Sequence, residues 1–262
     1  MIKIIKKLKF FFFKKSYPLL SKEEYLDLFN KIKNEDSDQI TRIESNTRFK
    51  INKSWIDNLA LHTQIVKKKS KLNYYHGRLL YSFLRKYIEQ NKYLDSITIL
   101  ETGTARGFSS LCLSKALEDS KCDGRIFTID LIPNDKKIYW NCIDDCEGKK
   151  TRLELLESWK KELRNVVFLT GDCSKVLKNF HLDRVNFAFL DAQHRYENIK
   201  SEFNFVFKRQ KKDDLILFDD VNVKEFPEIA RFIDELRNTN TYSLDIIKST
   251  ENRSYCLAKK LI

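Results

Sequence analysis

Glycine and proline are scarce, at 6 and 3 of 262 residues. So few turn-formers exclude collagen-like repeats and long flexible linkers, and leave regular helices and strands as the main fabric. The six cysteines include no C-x-x-C pair, and Cys142 and Cys146 have no His or Cys cluster beside them. That excludes the usual structural zinc spacings and makes free thiols in a reducing, cytoplasmic compartment the expectation. No apolar run approaches the roughly 20 residues that span a bilayer, and the short apolar stretch Phe10–Phe13 is no signal-peptide core. With 42% hydrophobic and 13% aromatic residues, the chain still has ample material for a core.

Acidic residues are under-represented in one part only. Residues 1–95 hold 21 basic and 10 acidic side chains, whereas residues 96–262 hold 28 and 27, so the net charge of +12 belongs almost wholly to the first third. A basic protein can seek nucleic acid, an anionic membrane or an anionic substrate. The balanced larger part, with neither a helix-turn-helix nor an aromatic-basic RNA-binding pattern, argues against nucleic acid. Residues 1–15 carry six Lys and no acid, interleaved with Ile2, Ile4, Ile5, Leu8 and Phe10–Phe13. That pattern predicts peripheral contact with an anionic membrane surface.

Periodicity divides the chain at residue 96. Residues 1–95 read as helical. Ser21 and Glu24 form a capping box before a stripe of Tyr25, Leu28, Phe29 and Ile32, and a second helix is expected over 77–90. Residues 34–53 read as loop. Beyond 96, apolar strands alternate with helices: strands at 97–100, 125–132, 166–169, 185–190 and 215–218, then a final pair at 243–249 and 254–259. A second capping box, Thr151 and Glu154, opens a helix expected to run to Leu163. Five apolar strands separated by helices imply an α/β fold with a parallel sheet covered on both faces. Each of the five ends at an acid: Glu101, Asp130, Asp172, Asp191 and the Asp219–Asp220 pair. Ligands of open α/β sheets bind outside the carboxyl ends of the strands, so these acids should share one rim.

Three motifs carry chemistry. In Glu101-Thr102-Gly103-Thr104-Ala105-Arg106-Gly107-Phe108-Ser109, a strand turns into a helix, and Asp130 follows 23 residues after Gly107. Gly103 permits the sharp turn and Gly107 a close approach to a ligand, while an acid at Asp130 can accept from ribose hydroxyls. The spacing lacks the G-x-G-x-x-G of dinucleotide sites, which points to a nucleoside ligand without a pyrophosphate. The second motif is Asp191-Ala192-Gln193-His194-Arg195-Tyr196 and the third is Asp219-Asp220. Three carboxylates on neighbouring strand ends repel one another unless a cation sits between them. Hard oxygen donors suit Mg²⁺, which would acidify a substrate hydroxyl. His194 is a candidate general base, since an imidazole titrates near neutrality. Its alternative is to cap the next helix or to orient Asp191.

On these motifs, residues 96–262 resemble the class I S-adenosylmethionine-dependent methyltransferases, in particular the sugar and natural-product O-methyltransferases whose fourth strand ends in Asp-x-x-His and whose fifth ends in Asp-Asp. The resemblance implies a Rossmann-like, mostly parallel seven-stranded sheet whose last strand is antiparallel, with residues 1–95 as a helical extension or lid. It implies cofactor contacts from Glu101, Thr102, Gly103, Thr104, Gly107 and Ser109, from Asp130 and Leu131, from Asp172 and Cys173, and from Asp191. It also implies catalysis by His194 and Asp191 and a metal held by Asp191, Asp219 and Asp220. Ala105 stands where many members have glycine. Tyr74, His76, Arg78 and Arg195 are candidate substrate contacts, and the cations at 67–71 suit an acceptor bearing phosphate or carboxylate, although Lys67–Lys69 read better as a solvated face. The long insert 133–165, with Trp140, Asp144, Asp145 and Arg152, reads either as acceptor wall or as ordinary packing. The function expected is methyl transfer to a hydroxyl of a sugar or glycosylated metabolite. A nucleic-acid methyltransferase and a hydroxylase-like relative are the alternatives.

Overall fold

The computed structural model describes residues 18–251 and 253–262; the basic segment 1–15 lies outside them. Four helices come first: α1 (Lys22–Ile32), α2 (Asp38–Thr47), α3 (Lys53–Thr63) and α4 (Tyr75–Gln90). They are followed by β1 (Ser96–Thr102), α5 (Phe108–Ser120), β2 (Asp123–Asp130), the short helices α6 (Arg152–Leu155) and α7 (Lys160–Leu163), and β3 (Val166–Thr170). The chain ends with α8 (Cys173–Asn179), β4 (Phe187–Leu190), α9 (Tyr196–Phe207), β5 (Leu215–Phe218), α10 (Pro227–Arg237), β6 (Tyr242–Thr250) and β7 (Arg253–Lys260).

The sheet order is β3-β2-β1-β4-β5-β7-β6. Strands β1 to β5 pair in parallel, and β7 runs antiparallel to both β5 and β6. The expected seven strands with an antiparallel last strand are all present. Order reverses between β1 and β4, which makes that gap the topological switch point. The register aligns the strand ends there: Thr102 pairs with Leu190, and Leu190 with Phe218. Gly103, Asp191 and Asp219, each one residue further on, therefore emerge side by side.

Both capping boxes form, at Ser21/Glu24 and Thr151/Glu154. Strand β2 stops at Asp130, not at residue 132, because Asp130 Oδ1 accepts from the Ile132 amide at 2.8 Å and turns the chain away. The helix expected over Thr151–Leu163 is broken by a 3₁₀ turn, Glu157–Trp159, which lets Leu156 and Trp159 both face inward. The loop expected over 34–53 contains α2. Its apolar signal is only Ile40 and Ile43, and the helix is fixed from outside by Arg78, which forks onto Glu44.

One core cluster joins Leu79, Leu80 and Leu84 of α4 to Ile97, Ile99 and Phe187 of the sheet. A second, on the opposite face, packs α8, α9 and α10 over Leu100, Ala188 and Ile216. The N-terminal helices thus build one layer of the sandwich and share its core. None of the six cysteines forms a disulfide. Among the described residues, no helix is long and apolar enough to cross a membrane.

Buried between α9 and β1, Glu202 accepts from the Thr102 hydroxyl at 2.6 Å, while its other oxygen has no partner. Burial, aided by the charge of Asp172, pushes its carboxyl up to about 7 despite the Thr102 bond. Between about pH 4.5 and 7 the unfolded chain ionises this group and the folded chain does not, so folding stability falls as pH rises through that window and then levels. The Glu202 contribution to that fall is about 3 kcal/mol. Glu202→Gln should flatten it, as read by urea unfolding at pH 5 and pH 8; an unchanged slope would remove Glu202 as its source.

Candidate active site

The turn after β1 is built around Gly103, whose φ is +94°. A Cβ there would stand 2.4 Å from the Asp191 carbonyl oxygen, so only glycine lets the two strand ends meet this closely. Ala105 is also left-handed, at φ 45°, which is where a glycine would be free of strain. Asp130 Oδ2 accepts from the Ala105 amide at 2.6 Å, and Arg152 Nε donates to the Ala105 carbonyl at 3.0 Å. Arg152 is almost wholly buried and lies 3.8 Å from Asp130. It braces this loop and is no part of an acceptor wall. Trp140, Asp144 and Asp145 are packing residues as well. Asp145 accepts from the Trp140 and Asn141 amides, and Asp144 binds His62 and Lys150.

A cavity of about 230 Å³ opens over the turn, lined by Gly103, Asp130, Leu131, Cys173 and Asp191 among the expected residues. Ala105, Ile129, Ile132, Ala192 and Gln193 complete it; of these, the two isoleucines look like plain core residues in sequence. The other expected cofactor contacts act behind the wall. Glu101 is buried and accepts from Ser109 and Ser110, which ties the start of α5 to β1. Thr102 is spent on Glu202 and Thr104 on Thr128, while Gly107 makes room for Leu156. Asp172 caps α8 through the Ser174 amide at 3.1 Å. Glu101, Thr102, Thr104, Gly107, Ser109 and Asp172 thus shape the turn and its surroundings, and none of the six borders this cavity.

A second cavity, of about 660 Å³, is lined by Asp220, Phe226 and Arg253 together with the 68–73 segment. Asp191 from the smaller cavity and Asp220 from the larger lie in one cluster with His194, each offering a donor atom within 4.8 Å of the others. His194 Nε2 is 2.9 Å from Asp220 Oδ2, and its ring stacks on Phe226 with centroids 4.3 Å apart. Burial, then the charges of Asp219 and Asp220, push the Asp191 carboxyl well above the usual range. For Asp220 burial acts upward, but the His194 bond and the Arg253 charge outweigh it and hold the group low. Asp220 is also left-handed, at φ 55°, a strain of the kind that gathers at functional sites.

The expected metal set of Asp191, Asp219 and Asp220 is corrected at one member. Asp219 is fully buried and forms a forked ion pair with Arg253 from β7, which neutralises it. His194 takes its place in the cluster. Two carboxylates and an imidazole fit a divalent cation, which would relieve the repulsion felt by Asp191.

The expected substrate contacts also divide. Tyr74 donates to Asp57 at 2.8 Å, and Arg78 is committed to Glu44 and Asp36, so both hold helices together. Arg195 is exposed and lines neither cavity. His76 is buried between Phe108 and Phe189, with Nδ1 unpartnered. Burial, then Arg253 and Lys68, keep its imidazole neutral.

Residues 100–221 match the family model of a methyltransferase domain. That match covers somewhat less than half of the chain. The chain resembles two solved O-methyltransferases across most of its length. One is TomG from Streptomyces achromogenes, an O-methyltransferase involved in tomaymycin synthesis and solved with S-adenosylmethionine; it is 17% identical, with 87% of this chain and 92% of that chain covered and a TM-score of 0.53. The other is an O-methyltransferase from Bacillus cereus in complex with S-adenosylhomocysteine, 16% identical, with 87% and 93% covered and a TM-score of 0.52. At these identities the likeness is one of fold, that of the class I S-adenosylmethionine-dependent methyltransferases. No curated protein matches the sequence.

Proposed function

We propose that the protein is an O-methyltransferase that moves the methyl group of S-adenosylmethionine to a hydroxyl of a sugar or glycosylated metabolite. The observation that carries this reading is the cluster that sets Asp191 of one cavity beside Asp220 of the other. The smaller holds the cofactor over the Gly103 turn, with Asp130 offering its remaining lone pairs to the ribose. The larger admits the acceptor.

The reaction is an in-line displacement. The acceptor oxygen forms a bond to the methyl carbon, the carbon–sulfur bond breaks, and its electron pair stays on sulfur to leave S-adenosylhomocysteine. The protein must align the two reactants and accept one proton. His194 donates its Nε2–H to Asp220 and takes that proton at Nδ1, while the stacked Phe226 ring fixes the imidazole plane. Asp191 borders the cofactor cavity, where the sulfonium of a bound cofactor would favour its ionised form. Asp191 and Asp220 would hold a divalent cation such as Mg²⁺, which when bound acidifies the acceptor hydroxyl.

Calorimetry of the full chain should give binding of S-adenosylmethionine and none of NAD; tighter NAD binding overturns the proposal. Methyl transfer to a panel of sugars and sugar phosphates should fall on exhaustive chelation and return with Mg²⁺. His194→Ala should lower kcat by about 10²-fold at every Mg²⁺ concentration. Rescue of that variant by excess Mg²⁺ would instead make His194 a metal ligand, and full activity after chelation would dismiss the cation.

A further inference from the structure

The larger cavity is lined by more cations than its ion pairs use. Lys68, Lys69, Lys71 and Arg253 all border it. Arg253 is spent on Asp219 and Asp220, and Lys71 lies 2.8 Å from Glu35. Lys68 and Lys69 have no ion-pair partner among the described residues. Beside them Asn73, which also lines the cavity, is 8% exposed with a buried Oδ1 that makes no hydrogen bond. Amide oxygen and nitrogen are interchangeable by a flip, so Asn73 can present either a donor or an acceptor.

Resting on the O-methyltransferase reading, we infer that the acceptor carries an oxyanion, a phosphate or a carboxylate, which Lys68 and Lys69 hold beside Asn73 while its hydroxyl lies at Asp220. A neutral sugar would leave Lys68 and Lys69 without a counter-ion. Burial, then the charge of Arg253, already pull the Lys68 ammonium below its usual range, and Arg106 on the cofactor turn adds to this. Asp220 faces Lys68 from across the cavity and partly offsets these effects. A cation held by Asp191 and Asp220 would remove that offset and leave Lys68 in greater need of an anion. The acids Glu225 and Glu251 also line the cavity and, like Lys68 and Lys69, are exposed, so water screens all four, and it is the buried Asn73 beside the lysines that marks the oxyanion position. Ammonium groups act as point charges toward phosphate, whereas the one guanidinium lining this cavity is committed elsewhere. The cavity volume of about 660 Å³ suits a sugar bearing such a group.

The test uses the full chain with Mg²⁺ and compares glucose 1-phosphate, glucuronate and methyl glucoside as acceptors. One or both anionic sugars should show kcat/KM at least about tenfold above the neutral one, and which of them leads tells phosphate from carboxylate. Lys68→Gln and Lys69→Gln should raise KM for the anionic acceptor with kcat within about twofold and S-adenosylhomocysteine affinity unchanged. Lys212→Gln, which removes an equal charge away from the cavity, should change nothing. Equal kcat/KM for the neutral sugar, or an unchanged KM in both cavity variants, overturns the inference. Binding of inorganic phosphate to the S-adenosylhomocysteine complex gives a readout independent of turnover. If no sugar is methylated, phosphate binding that disappears in Lys68→Gln upholds the oxyanion site and counts only against the carbohydrate reading. Absence of that binding together with absence of turnover overturns the site itself.

Discussion

Asp191→Asn is expected to raise the melting temperature while nearly abolishing turnover. Asp191 is half-buried, and the charges of Asp219 and Asp220 add to the desolvation that makes its carboxylate costly. Asparagine keeps the shape and removes the charge, so the folded state gains on the order of 1–3 kcal/mol, or several degrees in Tm. The same change takes negative charge from the cluster with His194 and Asp220 and should lower kcat by about 10²-fold or more. Thermal unfolding and single-turnover methyl transfer on the same preparation check both signs. A variant that loses stability along with activity would make the Asp191 carboxylate a structural group, contrary to the mechanism. Opposite movement of stability and function is the mark of a site held under electrostatic strain.

Gly103→Ala should be the most damaging of a graded series of glycine replacements. Its φ of +94° disfavours any side chain, and the new Cβ would lie 2.4 Å from the Asp191 carbonyl oxygen and 2.8 Å from its carbon, both backbone atoms that cannot move without shifting β4. A loss of about 3 kcal/mol or more and at least a tenfold weaker S-adenosylmethionine affinity are expected. Gly107→Ala has a similar φ of +87°, but its clash is with Leu156 Cδ1, the end of a flexible side chain, so its loss should be smaller. Gly148→Ala, at φ +109° with nothing within 4 Å, isolates the backbone strain, worth about 1–2 kcal/mol. Urea unfolding and calorimetry of the three variants check the order; a Gly103→Ala protein as stable as Gly148→Ala would mean that β4 yields readily at this point.

The strand ends were legible because the signal is local. An apolar run that stops at an acid, followed by helical periodicity, is written in consecutive residues. Five such units dictate a parallel sheet with its acids on one rim. Capping boxes are equally local, and both formed where Ser21 and Thr151 predicted them. Helix α2 was not legible, since two isoleucines give no clear period and its anchor, Arg78, lies 34 residues away from Glu44. The chemistry of Arg78 was visible in sequence but its partner was not, which is why a committed structural cation looked like a substrate contact. Leu131 and Cys173, by contrast, were placed in the cavity wall by adjacency to Asp130 and Asp172 alone.

The sequence by itself determined the architecture, the switch point at Gly103 and the cluster of acids opposite it, because hydrophobic period and glycine position act over a few residues. Only the tertiary structure decided which acids stay free. Asp219 and Asp220 are neighbours in the chain, yet β7 runs antiparallel beside β5 and brings Arg253 onto Asp219, while the turn after β4 brings His194 onto Asp220. A buried carboxylate takes whichever cation the fold delivers to it, and that delivery depends on strand order and not on sequence distance.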